Sequence, residues 1–404
     1  MNKIKFALKM LYAQRKKYYT IFVEQVLITV VLMLCTVSSF ILLEKYLRPG
    51  LLDVSNQFAT SIRSVSGARE MFDKELEATD LVSDKMKEKD YVLSIVRESD
   101  LAPYLRSDSY YRGDTIQFGN KKYWSKLKYV DKEGLDMFDI RLIAGEWFDE
   151  DVLPDGSCPV VVTRQLEEGI LGKEAVERGE SLLGKKLTYT NRYVSVNREC
   201  SVIGVVAGVK QAAFDDSPQA VIFPYKYYLK MSTPMTLIKI KKGYEQDFYK
   251  DYKAAYESLE LGRNFIMSII SMNKMKLEFR FSEMLGLTSQ ITPTLFFIVF
   301  AFLGTFGLFW MQSKKKAKEY ALQIAIGLAP QQLVSNIVLE SVLLSLFASI
   351  PALIVAFFIY DWTWLHVVAI GSTILIMVLF AVFSAWYPAY KVSRINPAEV
   401  LHYE

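Results

Sequence analysis

The fold of this chain is decided by one short polar stretch, Lys314-Lys315-Lys316-Ala317-Lys318-Glu319-Tyr320-Ala321-Leu322-Gln323-Ile324-Ala325-Ile326-Gly327-Leu328-Ala329-Pro330. It lies between two apolar runs, residues 291–311 and 333–360, and each run is long enough for a membrane span, which needs roughly 20 apolar residues of helix. Four of its first five residues are lysines. Because an excess of Lys and Arg on a short loop marks the cytoplasmic side, we predict a cytoplasmic loop between two membrane-spanning helices.

After the lysines, this loop has the pattern of a short amphipathic helix. The apolar face is formed by Tyr320, Ile324, Ile326 and Leu328, the last two slightly out of phase. Gly327 followed by Pro330 is typical of a helix end. A helix with one apolar face, held at the cytoplasmic ends of two spans, is expected to dock into a separate soluble partner.

The 404 residues are 51% hydrophobic, and these residues are clustered. Four runs exceed the spanning length, and the long mixed stretch after the first run is large enough for one or two domains of about 100–150 residues. We therefore predict a membrane protein of four transmembrane helices with a large α+β extracytoplasmic domain between the first and second helices. The predicted segments are an amphipathic surface helix at 1–17, transmembrane helices at 18–43, 289–312, 333–360 and 364–387, the outer domain at 44–288, a coupling loop at 313–332 and a tail at 388–404.

The placement of basic residues predicts the topology. Lys and Arg precede the first span, lie between the second and third, and follow the fourth, whereas the short loop at Trp362 has none. Both termini are therefore expected in the cytoplasm, in a multi-pass protein of the inner membrane whose partners include membrane lipid. The net charge of +4 is small and scattered, which does not favour nucleic-acid binding.

The outer domain combines helical and strand patterns, plausibly in two lobes with a β-rich lobe at about 116–224. A charged helical pattern covers residues 72–98, and another helix is predicted at 245–259. Runs typical of strands lie at 56–65, 126–130, 140–143, 159–163, 186–193, 201–206, 220–223, 235–240 and 264–272. Cys158 and Cys200 lie in this domain, where either a disulfide or two free buried thiols is compatible with an extracytoplasmic position.

No pattern for catalysis is present. Residues 179–186 nearly fit a phosphate-binding loop, but Lys186 replaces the Ser or Thr that would ligate magnesium, and no buried strand precedes the loop. The two histidines, His366 and His402, belong to no metal-binding or catalytic spacing. We expect a non-catalytic chain without metal or cofactor.

Two carboxylates lie inside predicted spans. Glu24 is shallow enough to reach the interface or to pair with a lysine. Glu340 lies about two turns into the third span. It is expected either to make a polar contact within the helix bundle or to pair with the basic inner surface.

Several motifs together resemble a known family. The loop at 316–328 is close to the pattern R-x-x-E-[IF]-[GA]-[IL]-x-[RK]-A-[LI]-G-[AL], with Ile324 where the pattern has a basic residue. The C-terminus resembles the family ending P-A-x-[RK]-A-[AS]-R-[LI]-x-P-x-E, with Arg394, Pro397 and Glu399 at the matching positions. Blocks at 145–148, 159–163, 183–185 and 202–206 resemble those of the MacB-type periplasmic core domain. Over nearly its full length the chain resembles the MacB/FtsX-like permeases of ABC transporters.

The resemblance implies a permease subunit that pairs with a second copy or a paralogue and binds a dimer of cytoplasmic ABC ATPases. The implied coupling residues are Lys316, Lys318, Glu319, Tyr320, Leu322, Ile324, Ala325, Ile326 and Gly327. ATP-driven motion would be relayed to the outer domain, for efflux or for handling lipoproteins and other envelope substrates. Efflux would require a periplasmic adaptor and an outer-membrane channel. The alternative is an FtsX-like regulatory or signalling protein that controls a cell-wall hydrolase or senses a ligand.

Overall fold

The computed structural model describes residues 3–13, 15–67, 71–105, 113–149, 152–191, 196–228, 235–261, 264–360 and 362–394. The chain divides into two compact units. One consists of Met1–Glu44 with Met284–Glu404, and the other of Lys45–Glu283. The helices of the described ranges are α1 (Lys3–Ala13), α2 (Arg15–Leu47), α3 (Phe72–Lys87), α4 (Gly134–Phe138), α5 (Arg164–Leu171), α6 (Lys173–Glu177), α7 (Glu245–Glu257), α8 (Met272–Lys315), α9 (Ala317–Ala325), α10 (Pro330–Ile359) and α11 (Trp364–Ser393).

The first unit is a bundle of long apolar helices. Four helices in the described part of the chain are long and apolar enough to cross a membrane, namely Tyr18–Leu47 within α2, and α8, α10 and α11. Small residues line the contact between α10 and α11, where Ala352, Ala356 and Ala369 are buried beside Met33 and Val37 of α2. Small side chains allow membrane helices to approach closely, which explains this packing without a large apolar core.

The second unit is an α/β domain built on one mixed sheet. Its strands, as far as the structure describes them, are β1 (Gln57–Ser64), β2 (Val92–Ser99), β3 (Gly113–Phe118), β4 (Lys121–Val130), β5 (Leu142–Gly145), β6 (Cys158–Thr163), β7 (Lys186–Asn191), β8 (Val196–Val206), β9 (Ala220–Pro224), β10 (Met235–Ile240) and β11 (Phe265–Ser271). The strand order is β11-β1-β10-β2-β4-β3-β7-β8-β6-β9, with β5 paired to β8. Most pairs are antiparallel, whereas β4–β9 and β6–β8 are parallel.

This sheet has two halves that meet at a seam between β2 and β4, where they share an apolar core that includes Val96, Val130 and Val161. In one half, α3 and α7 pack against β1 and β10 through an apolar cluster that includes Phe58, Val82 and Phe248. In the other half, α5 packs against the strands that follow β2. Between the halves, β2 and β4 pair through only two residue pairs, Glu98 with Val130 and Ser99 with Tyr129.

The prediction of a helix over residues 72–98 is wrong in its second half. The helix ends at Lys87, and Val92–Ser99 forms β2. Five of the sixteen α3 residues are acidic and three are basic, and this charged pattern hides the alternation that begins at Val92. Pairing with β10 stabilises the strand conformation of this segment, since Leu237 and Ile238 lie opposite Val96 and Ile95.

The two cysteines of this unit are neighbours. Cys158 on β6 lies directly opposite Cys200 on β8, and both are buried free thiols. A hydrogen bond with Cys200, together with burial, raises the pKa of the Cys158 thiol. Of the two alternatives left open by the sequence, the structure has the free thiols.

Candidate functional site

The coupling loop folds as helix α9 and ends through a glycine. Gly327 has φ of +105°, a backbone conformation that side-chain-bearing residues rarely adopt. Its N–H donates to the carbonyl of Ile324 at 2.9 Å, and the Leu328 N–H donates to the carbonyl of Gln323 at 3.0 Å. These two bonds form a Schellman motif, which satisfies the last carbonyls of α9. Pro330, predicted as part of a helix stop, is the first residue of α10, where its missing N–H costs nothing.

One face of α9 packs on its own bundle. Tyr320 and Ala321 are buried, and Ile324 and Leu328 are partly buried. Their apolar neighbours are Leu333 and Ile337 of α10 and Ala389 and Val392 of α11. The neighbouring helices therefore cover Tyr320 and partly cover Ile324 and Leu328.

The other face of α9 is open. Lys318, Leu322 and Ile326 follow one another at four-residue spacing, so they lie on one side of the helix. Leu322 is 52% exposed and Ile326 is 79% exposed. Ala325 and Gly327 are also exposed, and Glu319 is half-buried. We call Lys318, Glu319, Leu322, Ala325, Ile326 and Gly327 the outer face of α9.

A buried polar chain fixes the start of α9. Lys316, which precedes α9, is 4% exposed, and its Nζ donates to the hydroxyl of Tyr18 at 2.6 Å. The Tyr18 hydroxyl donates to Oε2 of Glu340 at 2.7 Å, and the Lys316 Nζ lies 4.4 Å from the centre of the Tyr18 ring. These residues belong to the loop, α2 and α10, so one hydrogen-bonded chain joins three elements. The hydroxyl of Tyr18 accepts from the buried cation and donates to the buried carboxylate. Removing one of these three groups would leave a buried charge without that compensation.

Helix α9 itself contributes a buried phenol to the same region. Burial, followed by the carboxylates of Glu340 and Glu319, raises the pKa of Tyr320. The phenol is therefore neutral at physiological pH and adds no charge to the Lys316–Tyr18–Glu340 chain.

Further polar contacts lie within the spans. Ser345 of α10 donates to Oε1 of Gln25 on α2 at 3.1 Å, and both side chains are buried. The carboxylate of Glu24 faces α8, where a Cβ added at Gly304 would lie 3.5 Å from its Oε1. Glu340 therefore makes a contact inside the bundle, and that contact reaches the basic loop through Tyr18.

The C-terminal motif is described in part. Arg394 follows α11, and its guanidinium carbon lies 4.4 Å from the centre of the Tyr390 ring. Pro397 and Glu399 lie outside the described residues.

Sequence reasoning missed Tyr18 and the role of Lys316 in this site. Tyr18 was interpreted only as the start of the first span, and Lys316 was predicted as an ATPase-coupling residue, not as a buried partner of Tyr18. The two are 298 positions apart in sequence, so no local pattern connects them. A polar aromatic residue at the membrane interface and a carboxylate inside a span were the available indications.

Comparison with protein families matches both parts of the chain. Residues 30–248 match the MacB-like periplasmic core domain, and residues 292–397 match the FtsX-like permease C-terminal domain. These matches confirm the resemblance that the loop and the outer-domain blocks predict. None of the curated proteins compared with the chain matches it.

Solved structures similar to the chain match just over half of it. The periplasmic region of MacB from Actinobacillus actinomycetemcomitans has 16% identity and a TM-score of 0.37, and the match covers 56% of this chain and 94% of that one. The extracellular domain of the ABC-type transporter YknZ from Gram-positive bacteria has 13% identity and a TM-score of 0.34, covering 53% of this chain and all of that one.

Proposed function

The chain belongs to the family of ABC transporter permeases with a MacB-like periplasmic core domain and an FtsX-like C-terminal domain, and on that premise we propose that it transmits ATP-driven motion to its outer domain. It is a multi-pass inner-membrane protein, and permeases of this family act with a cytoplasmic ATPase that supplies the hydrolysis. The finer proposal is that the outer face of α9 is the docking surface for that ATPase.

The exposed apolar side chains of α9 carry this proposal. Ile326 and Leu322 project from a short helix whose opposite face is already packed. Neighbouring exposed apolar residues bordered by a polar residue, here Lys318, are typical of a surface that binds another protein. The Lys316–Tyr18–Glu340 chain supports a role in transmission, because it ties α9 to α2 and α10 and so gives a displacement of α9 a route into the spans.

Further partners follow from the same proposal. A second copy or a paralogue would complete a dimeric permease, since ABC ATPases work in pairs in this family. An adaptor and an outer-membrane channel would indicate efflux, whereas a lipoprotein carrier would indicate extraction of envelope substrates. We propose that the protein takes part in transport, by efflux or by extraction of envelope substrates, and not in regulation, because the match to the MacB-like core domain spans more than half of the chain.

The test is affinity purification of the full chain from its own cells in gentle detergent, with mass spectrometry of the associated proteins. A P-loop ATPase should accompany the wild type and be depleted roughly tenfold or more with Ile326→Glu. Burying an isoleucine at an interface contributes about 1.5–3 kcal/mol, and a tenfold change corresponds to about 1.4 kcal/mol. Because the Ile326 side chain is 79% exposed, the variant should insert and fold normally.

The matched control is Leu183→Glu, which places the same charge on a 41% exposed apolar residue of the outer domain. It should leave the ATPase yield unchanged. Equal recovery of the ATPase with wild type and Ile326→Glu would refute the docking surface. Recovery of a cell-wall hydrolase without any ATPase would replace the transport proposal with the regulatory one.

A further inference from the structure

An aromatic ladder joins the C-terminal parts of α8 and α11 within the first unit. Phe302 of α8 lies 5.5 Å from Phe380 of α11, measured between ring centres, and Phe306 lies 6.3 Å from Tyr387. Trp310 stacks on Tyr387 at 5.8 Å, with an angle of 12° between the ring planes. The two helices therefore meet through flat side chains along about two turns of each.

The ladder is accessible from outside the bundle. Tyr387 is 49% exposed, and the other four rings are half-buried. Both helices are long and apolar enough to cross a membrane, so the exposed parts of these rings are expected to contact lipid. Trp and Tyr rings near the end of a span are typical of the head-group level of a membrane.

Two lysines converge on the end of the ladder. Lys314 follows Trp310 by four residues on α8, and Lys391 follows Tyr387 by four residues on α11, so each lysine lies on the same face of its helix as a ladder ring. The Nζ of Lys391 lies 5.0 Å from the centre of the Trp310 ring, and the Nζ of Lys314 lies 5.7 Å from it. Two ammonium groups from two helices thus share one ring.

The charges of these two lysines are not balanced within the described part of the chain. Both side chains are exposed, and neither has an ion-pair partner among the described residues. The Trp310 ring attracts a cation through its electron-rich face but carries no net charge, so both positive charges remain. Like charges beside one ring repel each other, and an anion that contacts both relieves this repulsion.

The position of the lysines identifies the kind of anion. They lie at the basic, cytoplasmic ends of two spans, next to the Trp and Tyr rings that mark the head-group level. The cytoplasmic leaflet contains anionic lipids, whose head groups bind in basic sites between membrane helices. A phospholipid also has acyl chains, which suit the apolar rings that continue from Trp310 to Phe302.

We propose that this end of α8 and α11 binds an anionic phospholipid of the cytoplasmic leaflet. The phosphate group contacts Lys314 and Lys391, and an acyl chain lies along the aromatic ladder. The bound lipid thereby bridges the second and fourth spans. The inference does not depend on ATPase docking, since it requires only the permease chain and the membrane.

The test is native mass spectrometry of the purified full-length protein in detergent, with equal amounts of phosphatidylglycerol and phosphatidylcholine that carry the same acyl chains. The wild type should retain phosphatidylglycerol in preference to phosphatidylcholine. Excess glycerol phosphate, which has the charged group without acyl chains, should not displace the lipid. Displacement would show that the site takes a free phosphate compound and would contradict a lipid site.

Variants separate this site from general charge attraction. Lys314→Gln and Lys391→Gln should each lower the preference for phosphatidylglycerol roughly three- to tenfold, the effect of one basic residue at an anionic membrane surface. The matched control is Lys315→Gln, which removes the same charge from the next residue of α8, about 100° around the helix. It should leave the preference close to that of the wild type. All three lysines are exposed, so the variants should fold normally.

Fluorescence quenching locates the bound lipid independently. Brominated lipids quench the tryptophans that they contact, and brominated phosphatidylglycerol should quench the wild type more than brominated phosphatidylcholine does. Trp310→Phe should abolish this difference between the two lipids. Trp362→Phe changes an exposed tryptophan in the loop between α10 and α11, and the difference should persist in that variant.

Two further results would overturn the proposal. One is equal retention of the two lipids by the wild type, which would leave both lysines for acidic residues of a protein partner. The other is an equal loss of preference with Lys315→Gln and Lys314→Gln, which would reduce the effect to net charge. Neither result bears on the recovery of the ATPase with Ile326→Glu, since that experiment measures a different surface.

Discussion

At the scale of single residues, the buried Glu98 sets a dependence of stability on pH. It is on β2 at the seam, 3% exposed, and accepts hydrogen bonds from the backbone N–H groups of Leu101 and Ala102 at 2.8 and 3.1 Å. Burial raises the pKa of Glu98 to about 7. Lys128 lies nearby, and burial lowers its pKa to about 8.

The direction follows from the proton balance. The folded state holds the Glu98 proton more tightly than the unfolded state, so its contribution to stability is complete below about pH 4.5 and is lost as pH rises through about 7. Lys128 acts oppositely and at higher pH, because its folded form favours the neutral amine and the contribution grows above about pH 8. The two effects therefore fall in separate pH windows.

Glu98→Gln should reduce the change of the thermal unfolding midpoint of the full chain with pH between pH 5 and 7.5. Glutamine resembles the protonated acid and keeps an acceptor for Leu101 and Ala102, so the variant should be more stable than wild type at pH 8, by about 1–3 kcal/mol. Scanning fluorimetry across this pH range measures the effect. The control Glu174→Gln, on the exposed side of α6, should follow the wild-type curve, and an unchanged slope in Glu98→Gln would contradict the assignment.

At the scale of elements, the attachment of α9 depends on the Tyr18 hydroxyl. Tyr18→Phe removes a hydroxyl that bridges Lys316 and Glu340, and the loss of these two charge-assisted hydrogen bonds should cost about 1–3 kcal/mol. We expect faster hydrogen–deuterium exchange across α9 in the full-length protein. Tyr19→Phe alters the neighbouring tyrosine, which is 68% exposed, and should leave that exchange unchanged. Equal exchange in both variants would show that apolar packing alone holds α9.

Local patterns predicted the elements whose physics is local. The length of the apolar runs predicted the four spans. Alternating or continuous apolar runs predicted β6, β9 and β10. The predicted residues 159–163, 220–223 and 235–240 match Cys158–Thr163, Ala220–Pro224 and Met235–Ile240. The Gly327 signal placed the end of α9 correctly, because only a residue tolerant of positive φ completes that cap. By contrast, β2 was missed, because the charged helical pattern of residues 72–87 was extended over Val92–Ser99.

The sites were less predictable than the elements. The residues of the outer face of α9 could be identified only from the structure, in which Tyr320 and Ile324 pack against α10 and α11. An amphipathic pattern alone does not show which apolar residues of a helix stay exposed.

At the scale of the whole molecule, the proposed transmission to the outer domain requires that the segments at which the chain enters and leaves this domain are held within it. The loop between β8 and β9 makes such contacts within the outer unit. Lys210 is 1% exposed, and its Nζ donates to the backbone carbonyl of Lys45 and, at 2.6 Å, to that of Arg48, at the end of α2. Glu283 on α8 accepts the N–H of Ala213, from the same loop, at 2.8 Å. One loop therefore binds both helices.

Lys210→Met should loosen this attachment while preserving side-chain volume. The carbonyls of Lys45 and Arg48 lose a charged donor at a helix C-terminus, and such buried bonds contribute about 1–3 kcal/mol. We expect faster hydrogen–deuterium exchange over residues 45–52 and a lower stimulation of transport by ATP, with ATPase co-purification unchanged. The control Lys45→Met breaks only the partly exposed 2.7 Å pair with Asp216, worth less than about 1 kcal/mol. If residues 45–52 exchanged no faster in Lys210→Met than in that control, the hydrogen bonds of Lys210 would not hold this segment. The packing of Tyr46 on Phe214, with 5.3 Å between the ring centres, would then be the contact that holds it.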